Sequence, residues 1–130
     1  MNKIYFFDFE KRGKGIIVGM SSVAGDRGRG SNYIYGSSKS GFTSYLSGLR
    51  NRLNKSSVKV ITVKPGFIKT KMTSHLELPK ILTASPYDIS NDIINSIKKG
   101  KNIIYSKWFW NWIMLIIKVI PESIFKKLNL

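Results

Sequence analysis

The apolar positions of this chain change period several times, and each change predicts an element. Residues 2–11 set Ile4 and Phe7 among charged positions, and Lys11, Arg12 and Gly13 follow. Basic residues and then a glycine mark the last turns of a helix. Residues 15–20 (GIIVGM) are a short apolar run rich in β-branched side chains, which predicts a buried strand. A glycine-rich loop over residues 21–32 carries Arg27 and Arg29. Over residues 33–54 the later members of the set Tyr35, Phe42, Tyr45, Leu46, Leu49 and Leu53 follow helical spacing, and Arg50, Arg52 and Lys55 mark the end. Residues 58–63 (VKVITV) alternate and are β-branched, so a strand is predicted, stopped by Pro65-Gly66.

Residues 67–84 show no period and read as a loop. A helix start follows: Ser85 as N-cap, Pro86 at the first helical position and Asp88 at the third. The helix runs to about Lys99 and Gly100 closes it. Residues 102–105 predict a short strand, followed by an apolar helix, Pro121 and a short amphipathic piece. Helix and strand alternate with short links, which argues for an α/β chain with a parallel sheet covered by helices.

Charge and composition narrow the partners. The chain has 130 residues, enough for one domain, and a formal net charge of +15. That charge suits an anionic partner or ligand, or reflects a lysine-rich solvated surface. No arginine stripe with interleaved aromatics appears, so no nucleic-acid partner is expected. There is no cysteine, which excludes disulfides and fits a cytoplasmic location. Asp8 and Glu10 interrupt the apolar N-terminus, so no signal peptide is expected. The longest apolar run, residues 108–117, is far short of the ~20 residues that span a bilayer.

The candidate chemistry lies around residues 22–39. Tyr35 and Lys39 are four apart on a predicted helix, one turn apart on one face. An ammonium beside a phenol favours the phenolate, and such a tyrosine can exchange a proton with a carbonyl or alcohol oxygen. Ser22 follows a strand end, where α/β sheets place ligands, and its hydroxyl could polarise the same oxygen. Alone, Tyr-x-x-x-Lys is ordinary helix surface. The ordered series of strand, Ser-Ser, glycine-rich loop, Tyr-x-x-x-Lys helix and strand ending in Pro-Gly is far more specific.

Residues 15–73 resemble the second half of a short-chain dehydrogenase/reductase. Ser22 precedes Tyr35 by thirteen positions, as that family's serine does, and residues 65–70 (PGFIKT) match its PGxxxT segment. The resemblance implies a partial Rossmann-like doubly wound parallel sheet of about three strands with flanking helices. It implies that Tyr35 is the proton donor, that Lys39 assists it and binds the nicotinamide ribose, and that Ser22 orients the substrate carbonyl. Pro65, Gly66 and Ile68, with the Thr70 hydroxyl, would hold the nicotinamide end of NAD or NADP. Residues 22–33 and the tail at 121–128 are similar to the decaprenylphosphoryl-2-keto-erythro-pentose reductase branch, whose members reduce a keto sugar on a polyprenyl phosphate.

One part of the family pattern is not found. No G-x-x-x-G-x-G turn precedes residue 15, so the N-terminal nucleotide-binding half is expected to be missing, and cofactor binding by this chain to be weak or absent. The strand at 15–20 would then keep an unpaired edge and an uncovered apolar face, giving marginal stability. Gly25, Gly28 and Gly30 follow that strand and read as loop flexibility.

Residues 1–106 are therefore expected to be the C-terminal half of the Rossmann-like domain, and 107–130 an apolar, basic helical tail. Trp108, Trp110 and Trp112 with flanking lysines suit a membrane interface; a core helix or subunit contact is the competing reading. The helix at 36–54 would form a homo-oligomer interface by resemblance, and a complementing N-terminal half is the other partner. His75 has no paired ligand, and no metal site is expected. Arg27, Arg29, Lys69 and Lys71 read as solvated loop charges or phosphate contacts, and Asp88 and Asp92 as helix N-terminal charges. Three functions compete: a carbonyl/alcohol oxidoreductase present as its catalytic half, a truncated inactive fragment, and a basic membrane-associating module without catalysis.

Overall fold

The computed structural model describes residues 3–73, 77 and 79–129. Helix α1 (Lys3–Arg12) ends in Lys11 and Arg12 and turns at Gly13, which takes positive φ. Strand β1 (Lys14–Met20) leads through a 3-10 turn (Val23–Gly25) to helix α2 (Tyr33–Arg52). Strand β2 (Ser57–Pro65), the short strands β3 (Phe67–Ile68) and β4 (Thr83–Ala84), helix α3 (Pro86–Lys98) and strand β5 (Ile103–Ser106) follow. Helices α4 (Phe109–Val119) and α5 (Glu122–Phe125) close the chain. The main sheet is parallel in the order β1-β2-β5, and β3 pairs with β4 in parallel. The α/β class and the three main strands are as the sequence predicts. The β3–β4 ladder lies inside the segment read as a loop, because two-residue strands leave no period to detect.

Register aligns the strand ends that matter. Met20 faces Val63, and Pro65 faces Ser106, so all three strands finish at one edge. Helices cover both faces of the sheet. Leu46 and Leu49 of α2, with Leu53 just beyond its end, bury against Val58 and Val60, with Phe9 of α1 beside them. On the other face Ile89 of α3 buries against Ile61, Val63 and Ile104. Strand β2 is thus covered on both sides, which explains its β-branched content. Arg50 ties α2 to this strand: it donates to the Val60 carbonyl, the Thr62 hydroxyl and the Asn102 carbonyl at 2.8, 2.7 and 3.0 Å.

One cap and one cross-link fix helix α3. Ser85 and Asp88 form a reciprocal capping box on α3, and the Ser85 hydrogen bonds hold the Asp88 carboxyl below its ordinary range. Asp92 departs from its reading as a helix N-terminal charge. It accepts from the Ser106 hydroxyl at 2.8 Å and so fastens α3 to β5.

β1 pairs only with β2 among the described residues. Its partners in register place Val18 beside Ile61 and Met20 beside Val63, on the face where α3 packs. α3 does not reach β1, and Ile16, Val18 and Met20 remain exposed. Leu46→Ala should therefore cost about 2–5 kcal/mol, whereas Val18→Thr should change stability by less than about 0.5 kcal/mol. Urea unfolding followed by circular dichroism measures both. Equal costs would show that the β1 face is covered.

Candidate active site

The strand ends carry the candidate residues. Ser21 continues the sheet, its N–H donating to the Val63 carbonyl at 2.8 Å. Its hydroxyl bonds the Lys39 carbonyl at 3.1 Å and shares a 2.6 Å hydrogen bond with Thr43. Ser22 is buried and extended, and its Oγ accepts the Ala24 N–H at 3.1 Å, capping the 3-10 turn. That bond uses an acceptor lone pair and leaves the hydroxyl proton for another oxygen.

The turn presses directly on α2. A Cβ on Gly25 would lie 2.7 Å from the Lys39 carbonyl carbon and 2.8 Å from the Ser40 nitrogen. A Cβ on Gly36 would lie 2.8 Å from the Ala24 carbonyl oxygen. These glycines allow backbone to touch backbone. Gly25 is thus a packing residue, which corrects its reading as loop flexibility. Its sequence signal is position: it falls three residues after Ser22, in the turn that must meet the Tyr-x-x-x-Lys helix.

Tyr35 and Lys39 share a face of α2 as their spacing requires. The Lys39 ammonium lies 5.7 Å from the Tyr35 ring centroid and donates to the Met20 carbonyl at 2.9 Å. One lysine thereby links the tyrosine, its helix and the end of β1. Tyr35 is exposed and lines an apolar depression of about 540 Å³ with Asn32, Tyr33, Ile34 and Ser38. A larger cavity of about 900 Å³ lies between α3, β5 and α4, and Ser22, Tyr35 and Lys39 are not among its lining residues. Titratable groups line that larger cavity, but Lys64 and Tyr105 are engaged with Asp26, Asp88 with Ser85 and Asp92 with Ser106.

Residues 65–70 stand at the neighbouring strand end. Pro65 closes β2 and is buried. Gly66 lies under the Trp110 indole, where a Cβ would come within 2.1 Å of the ring. Ile68 pairs with Ala84 through β3–β4, and its carbonyl accepts from the Thr73 hydroxyl at 2.6 Å. The Thr70 N–H donates to the same Thr73 hydroxyl at 3.0 Å. Thr73, which the sequence reading missed, thus shapes this segment. By their chemistry, the exposed Thr70 hydroxyl, the Lys39 ammonium and the Tyr35 hydroxyl are donors of the kind that would meet the hydroxyls and carboxamide of a nicotinamide riboside.

Two adjacent residues bind the serine loop to the rest of the molecule. Asp26 accepts from Lys64 and from the Tyr105 hydroxyl, each at 2.5 Å, and the ion pair is almost wholly buried. Arg27 donates to the Ile117 and Ile120 carbonyls at 2.6 Å each and to Glu122 at 2.9 Å, and its guanidinium lies 3.7 Å from the Phe125 ring centroid. Arg27 therefore holds the end of α4 and the start of α5. It is neither a solvated charge nor open to a phosphate. Lys69 and Lys71 lie on the surface. His75 lies outside the described residues, and among those described no cluster of three acidic, histidine or cysteine groups is placed to hold a metal.

Comparison with known proteins bears on this arrangement. The family profile for short chain dehydrogenase matches residues 2–80. The chain belongs to the short-chain dehydrogenase family. An uncharacterized oxidoreductase of Mycobacterium tuberculosis is 29% identical over 116 residues, 89% of this chain and 46% of that protein. Carbonyl reductase family member 4 of Xenopus laevis is 33% identical over 86 residues, 64% of this chain and 36% of that protein. A short-chain dehydrogenase from Burkholderia cenocepacia, solved in complex with NADP, shares the fold with a TM-score of 0.81 at 18% identity, over 97% of this chain and 53% of that one. This short-chain dehydrogenase chain thus spans about half the length of the relatives it matches.

Within this family member the buried Asp26 cluster is titratable. Burial first, then the hydrogen bond and charge of Asp26, push the Tyr105 hydroxyl well above the ordinary tyrosine value. The folded state thus favours the neutral phenol, while an unfolded tyrosine ionises near ~10. Stability from Tyr105 should be fully present below pH ~10 and be lost as pH rises beyond it. Urea midpoints at pH 9 and 11 should fall, and Tyr105→Phe should flatten that fall. An identical slope in the variant would refute the assignment.

Proposed function

We propose that this chain is the catalytic half of an oxidoreductase that uses NAD or NADP to interconvert a carbonyl and an alcohol. The observation that carries the reading is Lys39, whose ammonium lies 5.7 Å from the Tyr35 ring centroid and donates to the carbonyl of Met20, at the strand end that leads into Ser22. Ser22 donates to the substrate oxygen and orients it. Tyr35 gives that oxygen its proton during reduction. Lys39, anchored on the Met20 carbonyl, keeps an ammonium beside the phenol and faces the ribose. Pro65, Gly66, Ile68 and Thr70 frame the nicotinamide, which supplies the hydride when bound.

A finer reading concerns the substrate. Residues 1–106 carry the chemistry and 107–130 bring it to a keto sugar on a polyprenyl phosphate, with the chain lying peripherally on a membrane. The loop at 22–33 and the tail support this, since Arg27 joins the two. The exposed side of α2, with Tyr45 uncovered, supports a homo-oligomer contact through residues 36–54, and the bare β1 edge supports a complementing N-terminal half. Spanning half of its relatives favours a second reading for the chain alone, an inactive fragment.

Calorimetry with NADP and NAD should show weak or no binding to the isolated chain. Co-expression with a nucleotide-binding half from a short-chain dehydrogenase should restore ketone reduction, and Tyr35→Phe should then lower kcat by about 10²–10⁴. Full activity of the Tyr35 variant would overturn the role given to this residue.

A further inference from the structure

We propose that the outward face of α4, continued by α5, is a docking surface for an anionic phospholipid bilayer. The inference deepens the membrane part of the reading above and rests on it. α4 is apolar on both sides. Inward, Trp110 and Met114 bury against Val23, with Ile113 and Ile117 partly covered. Outward, Trp108, Trp112, Leu115, Ile116 and Val119 are 49–75% exposed, with Trp108 and Trp112 also lining the open cavity between α3, β5 and α4. Their spacing of four, three, one and three residues puts them along one helical face. A helix packed on a soluble core ordinarily turns polar residues outward, and a contiguous exposed apolar face marks an interaction site. Ile124 and Leu128, also exposed, extend the apolar surface beyond Pro121.

The face cannot turn inward. Trp110 is wedged over Gly66 and donates its indole N–H to the Leu82 carbonyl at 3.2 Å. Arg27 grips the other end through the Ile117 and Ile120 carbonyls. Rolling α4 to hide the outer stripe would break both attachments and expose the inner one.

Charge selects the occupant. Lys107, Lys118, Lys126 and Lys127 accompany the apolar stripe. Glu122, the only acidic residue after Asp92, accepts from Arg27. A second copy would bring the same lysines against each other, in a chain of net charge +15. A bilayer with anionic headgroups satisfies lysines and apolar stripe together, with the stripe at the headgroup–acyl boundary. α4 has eleven residues, about 16 Å at 1.5 Å per residue, against a hydrocarbon core of about 30 Å. No helix among the described residues is long and apolar enough to cross a membrane. The chain therefore lies on the surface, and Trp110 of the same helix sets the Gly66 segment within one helix width of it.

The chain carries its own probe, because all three tryptophans sit in residues 108–112. The intact chain is mixed with vesicles of phosphatidylcholine alone or with phosphatidylglycerol, and flotation and tryptophan emission are read. Partition should rise at least tenfold with phosphatidylglycerol and fall with added salt. Emission should shift to the blue and be quenched by brominated acyl chains. The double variant Trp112→Ser, Ile116→Ser should lose at least tenfold in partition with unchanged far-ultraviolet circular dichroism and urea midpoint. The control Ile16→Thr, Val18→Thr on the exposed β1 face should float normally. Equal partition to both vesicle types, absence of acyl quenching, or loss only in the β1 variant would each overturn the proposal. So would a lipid-free dimer that the α4 variant dissolves. If the complemented enzyme reduces a water-soluble ketone without floating, this inference fails and the oxidoreductase reading survives.

Discussion

The site depends on one close approach of backbone to backbone. The turn after Ser22 rests on the first half of α2, and Gly25 and Gly36 leave no side chain between them. Ser21 bridges the same seam through the Lys39 carbonyl and Thr43, and the Lys39 ammonium returns to the Met20 carbonyl. A serine at a strand end and a tyrosine on a helix are thereby held in one register. A methyl group at Gly25 would force the turn after Ser22 away from the helix that carries Tyr35 and Lys39.

Around that seam lie three attachments of different character. Asp26, Lys64 and Tyr105 join the serine loop to β2 and β5 through a buried ion pair and a phenol. A buried pair of this kind gives orientation more surely than net stability, because desolvation opposes the attraction. Arg27 meets helix-end carbonyls that have no partner within their helix, and places a positive charge at the negative end of the α4 dipole. Trp110 closes over Gly66 by packing alone. The tail at 107–130 is thus fastened to both the serine loop and the Gly66 segment, and its position follows theirs.

The sheet itself is unevenly supported. β2 is covered on both faces, while among the described residues β1 has one pairing partner and a bare apolar side. Exposed Ile16, Val18 and Met20 belong to the same class of surface as the outer stripe of α4, but their surroundings differ. The β1 surface adjoins an open strand edge, which offers backbone hydrogen bonds to another strand. The α4 stripe has its backbone satisfied by the helix and offers only side chains and lysines, which suits a lipid surface and gives a strand nothing to pair with.

The main helices and the three strands of the parallel sheet, the α3 cap and the shared face of Tyr35 and Lys39 were legible in the sequence, whereas the two-residue strands β3 and β4 were not. Each legible feature depends on residues within a few positions of one another, where periodicity and capping chemistry act. Family pattern added Ser22 and residues 65–70. Tertiary structure decided what Gly25, Arg27, Asp92 and Thr73 do. Arg27 reaches carbonyls 90 and 93 positions away, and Asp26 accepts from Tyr105 at a separation of 79. In sequence an arginine beside a glycine looks the same whether it meets water, a phosphate or a helix end. Only the folded path of the chain sets which partner comes within hydrogen-bonding distance, and only that path turned Trp110 inward and Trp108 and Trp112 outward.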